Sequence, residues 1–254
     1  MTDPRTLSFI NLHAILGSLP LLCALDAEAS ALAAGHDITI GITVKGGPAG
    51  TLAFADGRCT FSESVLPSAC DILLSFPTPE KFNGMIDGTV TPIPKKGLLK
   101  AGFLTGPFTR LTDRLSSYLR ALPDTPADPV SRRTGTLLMF GLIVHAVCCI
   151  GNEDPIGQAS ASYMTDGAVR IGAGNEIAFV IRTEQHRLTL SADPDSENVT
   201  AFMQFEDLAT ARALFDGEIN AVAAVGDGAI RIGGMVSQVD NINRMLDRVA
   251  LYLS

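Results

Sequence analysis

Asp71-Ile72-Leu73-Leu74-Ser75-Phe76 is an apolar segment of strand length that leads into a short helical stretch and then into Asp87-Gly88. The same order recurs in Thr200-Ala201-Phe202-Met203-Gln204-Phe205, followed by a helical stretch and Asp216-Gly217. The separation of Phe76 from Gly88 equals that of Phe205 from Gly217. A strand, a helix and a turn that recur at one spacing read as a duplicated supersecondary unit. Further along, Gly97-Leu98-Leu99-Lys100-Ala101-Gly102 aligns with Gly228-Ala229-Ile230-Arg231-Ile232-Gly233, and each reads as a strand with one basic residue between glycines. The final amphipathic helices then align Leu111 with Ile242 and Leu115 with Leu246, after a small length change in one loop.

Upstream, Ile38, Ile40, Ile42 and Val44 alternate with Thr39, Gly41 and Thr43, the period of a half-buried strand. Ile177, Phe179 and Ile181 do the same. Thr51–Ala55, closed by Asp56-Gly57, and Leu188–Ser191 complete two hairpins. An apolar helix precedes each hairpin, from Leu7 to Leu32 with a break at Pro20, and from Thr136 to Ile150. Ala168-Val169-Arg170-Ile171 reads as an additional strand without a counterpart in the first half. The short helices cover Thr78–Ile86 and Asp207–Phe215, with Pro79 in a first turn and Asp207 as a cap. Leu122-Pro123-Asp124-Thr125-Pro126-Ala127-Asp128-Pro129 has the composition of a linker, which divides the chain into 1–125 and 126–254. Helices mixed with mostly antiparallel strands indicate an α+β layer fold.

Composition narrows the function. Of the 254 residues, 46% are apolar and 18% charged, enough to bury a core and unlike a disordered chain. The net charge of −8 and the absence of a basic face argue against nucleic acid. Lys95-Lys96 with Lys100, and Arg132-Arg133, are the richest basic stretches, too short for permanent residence on an anionic membrane. Cys23, Cys59, Cys70, Cys148 and Cys149 are odd in number and have no C-x-x-C spacing, so they read as buried thiols of a reducing compartment. The run Leu137–Ile150 is shorter than a membrane span, and the N-terminus has no positive leader. A cytoplasmic protein without an integral membrane segment is expected.

No catalytic constellation emerges. Gly172-Ala173-Gly174 and the glycines near Gly226–Gly234 match no phosphate loop, and no G-x-S-x-G is present. His13, His36, His145 and His186 show no metal-ligand spacing. Asp193 and Asp195 lie in a polar loop that lacks the register of a calcium site, and the sequon Asn198-Val199-Thr200 opens a strand.

The ordered series Asp71-Ile72, Phe82, Met85, Gly88, Leu98, Lys100, Gly102 and Leu115 resembles the sterol carrier protein (type 2) domain, over Ile38–Leu119 and again over Ile177–Leu253. The resemblance implies two similar sterol-carrier-like domains, each a mostly antiparallel five-stranded sheet covered by helices on one face. It implies a non-catalytic domain whose apolar tunnel holds a fatty-acyl or sterol-like ligand, with no cofactor and no metal. The expected lining is Phe82, Met85, Ile86, Phe103 and Phe108 in the first half, and Phe202, Leu214, Phe215 and Met235 in the second. Lys100 and Arg231 would stand at the mouths. The same apolar residues also suit a plain core. A ligand-free assembly module, an accessory subunit of an enzyme complex, or a homo-oligomer is the alternative.

Overall fold

The computed structural model describes residues 2–119 and 128–253. Two compact units divide the chain, Met1–Ala121 and Leu122–Ser254. The boundary expected at 125/126 and most of the expected linker lie outside the described residues.

In the first unit, helix α1 (Pro4–Leu25) is followed by α2 (Ala27–Ala33), four strands, α3 (Pro79–Ile86), a chain of short helical turns and α4 (Thr109–Leu119). The strands are β1 (Ile38–Val44), β2 (Ala49–Ala55), β3 (Arg58–Ser62) and β4 (Ile72–Phe76), in the spatial order β3-β2-β1-β4. The expected helix break at Pro20 falls instead at Asp26, whose backbone is extended (φ −122°, ψ 115°) and whose carboxylate caps α2 by accepting from the Ala29 N–H at 2.7 Å. Pro20 sits in the first turn of a resumed α-helical stretch, where its missing N–H costs little.

In the second unit, α5 (Pro129–Glu153) and α6 (Pro155–Ser162) precede β5 (Gly167–Ala173), β6 (Ile177–Glu184), β7 (Arg187–Leu190) and β8 (Ala201–Phe205). Then come α7 (Leu208–Phe215), α8 (Ala221–Gly226), β9 (Ile230–Gly234) and α9 (Val236–Leu253). The sheet order is β7-β6-β5-β8-β9. Helix α5 starts well before the expected Thr136, because Asp128 caps it through the Val130 and Ser131 N–H groups and Pro129 occupies its first turn.

The fold is α+β and most strand pairs are antiparallel, but both sheets are mixed and only the second has five strands. In each, a central pair is parallel: β1 with β4, and β5 with β8. The chain leaves β3, crosses by residues 63–71, and enters β4 in the direction of β1. Gly41 makes room for that crossing, since a Cβ there would meet the Cys70 sulfur at 2.5 Å. The strand read as additional, β5, holds the position in its sheet that β1 holds in the first. Each is antiparallel to the next strand and parallel to the one after the crossover. The strand missed by sequence is β3, joined to β2 by Asp56 (φ 50°) and Gly57 (φ 74°), a two-residue left-handed turn that suits the twist of a hairpin; the helices α6 and α8 were not expected either.

The expected strand at Gly97–Gly102 is also absent. Gly97 is left-handed (φ 86°) and lies so close to the Asp71 carbonyl that a Cβ would stand 2.1 Å from it. The chain then winds into a 3-10 turn, Leu98–Lys100. Only one antiparallel bridge, Leu73 to Lys96, forms where the second unit has all of β9.

Helices cover one face of each sheet. Alternation in β1 and β2 sends Ile40, Ile42, Leu52 and Phe54 inward, and none of them is exposed. Helix α1 packs across β2 and β3, and α5 packs across β6 and β7. By length and composition both α1 and α5 could cross a bilayer, but 61% and 83% of their apolar windows are buried inside the protein, the position of core helices.

Candidate functional site

The inner face of the first sheet builds an aromatic cluster. Phe54 of β2 meets Phe103 (ring centroids 5.2 Å apart) and Phe108 (6.3 Å), and Phe103 meets His36 edge-on at 4.9 Å. Two of the expected pocket residues, Phe103 and Phe108, thus come together around Phe54, which sequence reasoning overlooked although it lies on the inward phase of β2.

The backbone above this cluster is irregular. Leu104–Phe108 forms a π-helical turn with Pro107 inside it. Proline lacks the N–H that an α-helix needs, and the widened turn reorganises the ladder: the Thr109 N–H and hydroxyl both reach the Leu104 carbonyl. A second π-helical turn, Ile10–Ile15, interrupts α1, and it packs on β2, the strand that carries Phe54. Such turns occur often at functional sites.

The other expected residues fall elsewhere. Phe82 is fully buried on α3 and packs edge-on against Phe76 at 5.2 Å, with Met85 and Ile86 half-buried on the same helix. In the second unit Phe215 joins Phe140 (5.8 Å) and Phe205 (6.2 Å), and Leu214 is half-buried. Phe202 does not join them. It points to the opposite face of β8, where it is 39% exposed and lies over Gly233. Met235 is 41% exposed at the turn into α9. Lys100 pairs with Asp71, and Arg231 is exposed on β9. A concavity of about 390 Å³, lined by Ala53, Ala55, Asp56, Arg58 and Thr60, opens on the outer face of β2 and β3, away from the aromatic cluster. Among the described residues, no group of three or more His, Cys, Asp or Glu is placed to hold a metal ion.

The strongest polar geometry is one that sequence reasoning missed, and it occurs in both units. Asp26 accepts from Arg114 Nε (2.6 Å) and Nη2 (2.7 Å) and from the Tyr118 hydroxyl (2.6 Å). Asp154 caps α6 through the Ile156 and Gly157 N–H groups, and accepts from Arg248 Nη2 (2.7 Å) and the Tyr252 hydroxyl (2.7 Å). Each guanidinium also lies 5.7 Å from the ring of its tyrosine. Burial opposes the charge on Asp26, but the bonds from Arg114, Tyr118 and the Ala29 N–H outweigh it and hold the carboxyl at about 2. Asp154 is lowered for the same reasons, with burial opposed by Arg248, Tyr252 and the Gly157 N–H. Burial, then the bond to Asp26, pushes the Tyr118 hydroxyl up. With every partner engaged and both carboxyls ionised at neutral pH, these triads fasten the last helix of each unit to the start of its second helix. The sequence carried their signature: Asp113-Arg114-Leu115-Ser116-Ser117-Tyr118-Leu119 matches Asp247-Arg248-Val249-Ala250-Leu251-Tyr252-Leu253. In that register Leu115 pairs with Val249, and the expected match to Leu246 was one turn off.

No family model matches the chain, and no curated protein does. Among solved structures the chain is similar to one described as UbiJ-SCP2 ubiquinone synthesis protein. The likeness has 12% identity and a TM-score of 0.34, and spans 44% of this chain and 96% of that one.

Proposed function

We propose that the chain is a tandem pair of sterol-carrier-like domains that binds an apolar, lipid-like ligand, fatty-acyl or sterol-like, and catalyses no reaction on it. The reading rests on one observation: Phe54, Phe103 and Phe108 pack together between sheet and helices beneath a segment of short α and π turns, Ala101–Phe108. Such a segment has few regular hydrogen bonds to lose on opening. A hydrocarbon chain entering beside the rings would gain roughly 25 cal/mol per Å² buried. The matching triads and the shared strand order support the duplication. Five buried cysteine thiols support a reducing compartment, and the cytoplasm is the proposed location.

Uptake of a fluorescent fatty acid tests the reading. Phe103→Trp enlarges a ring already in contact with Phe54 and His36, and uptake should be lost. Met85→Trp, on α3, reports whether the space extends towards Phe82. Uptake that neither substitution changes would remove the pocket from this place. A second reading, a ligand-free assembly module or accessory subunit, is favoured by the complete burial of Phe54, Phe82 and Phe140, whose rings fill the interlayer space.

A further inference from the structure

Three of the five lysines in the chain, Lys95, Lys96 and Lys100, fall within six residues, and none occurs after Lys100. The same segment exposes large apolar side chains: Ile93 at 81%, Leu98 at 69% and Leu99 at 104%. Leu66, 66% exposed, stands on the neighbouring crossover, whose Pro67 and Ser68 carbonyls accept from Lys96 Nζ. Residues 89–100 contain no acidic side chain, in a protein whose net charge is −8.

This segment is not loosely attached. The Lys95 N–H donates to the Leu73 carbonyl at 2.7 Å, and the Leu73 N–H donates to the Lys96 carbonyl at 3.1 Å. Gly97 is pressed against the Asp71 carbonyl, Lys100 pairs with the Asp71 carboxylate, and Pro92 and Pro94 fix two backbone angles. Adjacent leucines held outward on a fixed turn, with lysines beside them, leave apolar surface in water that a solitary domain has reason to cover.

We propose that residues 89–100, with Leu66, form a surface that docks reversibly on a bilayer containing anionic phospholipid. Charge complementarity selects this occupant. Ammonium groups meet lipid phosphates while Leu98, Leu99 and Ile93 enter the boundary between headgroups and acyl chains. Lys100 is partly neutralised by Asp71, so Lys95 and Lys96 carry the attraction, which is too small a cluster for permanent anchoring. The corresponding stretch of the second unit exposes Val222 and Val225 but carries Glu218 and Asp227 and no lysine, so docking belongs to the first unit. The inference goes beyond the ligand reading and stands even if the interior carries no ligand.

The chain has no tryptophan, so Leu99→Trp supplies a single reporter in the full-length protein. With phosphatidylcholine vesicles containing phosphatidylserine, its emission should shift to the blue, and salt should weaken the effect. Pure phosphatidylcholine should give little shift. Each lysine near an anionic surface contributes about a fivefold gain in partitioning, so Lys95→Gln with Lys96→Gln should lower sedimentation with vesicles about 25-fold. Leu98→Ser with Leu99→Ser should abolish it while the circular dichroism is unchanged, because both side chains already face solvent. Absence of partitioning by the full chain, or partitioning that these variants leave intact, overturns the proposal. So does a blue emission from Leu99→Trp without vesicles together with a dimer in sedimentation, which assigns the surface to a second copy of the chain.

Discussion

Asp26→Asn removes one charge from the first unit and turns the oxygen that accepts from Arg114 Nη2 and the Tyr118 hydroxyl into an NH2 group, much as protonation of that oxygen would. Asparagine still caps a helix well, so the bond from the Ala29 N–H survives. The substitution therefore imitates a permanently protonated Asp26. The fold holds that carboxyl at about 2 against an ordinary 3.8. At 1.36 kcal/mol per pH unit, ionisation of Asp26 contributes about 2 kcal/mol at neutral pH. The aspartate side chain is only 5% exposed, so solvent screening takes little from this figure. Because the folded value is depressed, the contribution is complete above about pH 4 and is lost as pH falls towards 2. Urea unfolding of the full chain, followed by far-ultraviolet circular dichroism from pH 7 to pH 2, should show the variant less stable at neutral pH and the two curves converging in acid. Hydrogen exchange of peptides from residues 19–34 and 109–119 should place the loss in the first unit. Equal stability at pH 7, or a difference that persists unchanged near pH 2, would refute the reasoning.

Asp154→Ala removes both the cap of α6 and the partner of Arg248 from a site where the aspartate side chain is 1% exposed. Breaking a buried pair costs about 3–5 kcal/mol, which urea titration of the second unit should register. Gly97→Ala drives a Cβ towards the Asp71 carbonyl in a left-handed conformation, so amide exchange at residues 95–100 should accelerate, at a cost of at least about 1–2 kcal/mol. Burial raises the Cys23 thiol to about 11 and pushes Cys59 higher still, so iodoacetamide at pH 8 should label both slowly in the folded protein and readily after unfolding.

Where one periodicity dominated, the fold was legible. Alternation placed β1 and β6, short apolar runs placed β4 and β8, and apolar spacing placed α4 and α9. The errors have local causes. β3 is a short edge strand, Arg58–Ser62, in which only Cys59 is buried, so its alternation is faint. The Asp56-Gly57 turn before it was the available signal, and it was read as an end where it is a hairpin. Missing β3 displaced the comparison by one strand and made β5 look superfluous. At Gly97–Gly102, adjacent leucines have no period of two, and only the contact of Gly97 with the Asp71 carbonyl, invisible in sequence, decides against a strand. The candidate site was half legible. Phe103 and Phe108 were named, but Phe54, which holds them together, was not. Phe202 was assigned inward because its phase in β8 was not used, although Ala201, Met203 and Phe205 share the opposite face.

The account stands or falls on whether the interior holds a ligand. Native mass spectrometry of gently purified protein, followed by organic extraction, measures this directly. The account predicts an acyl or sterol-like mass released on denaturation, at one or two per chain. A clean ligand-free mass, with no uptake of added fluorescent fatty acid, would contradict it and leave the filled assembly module as the function of this fold.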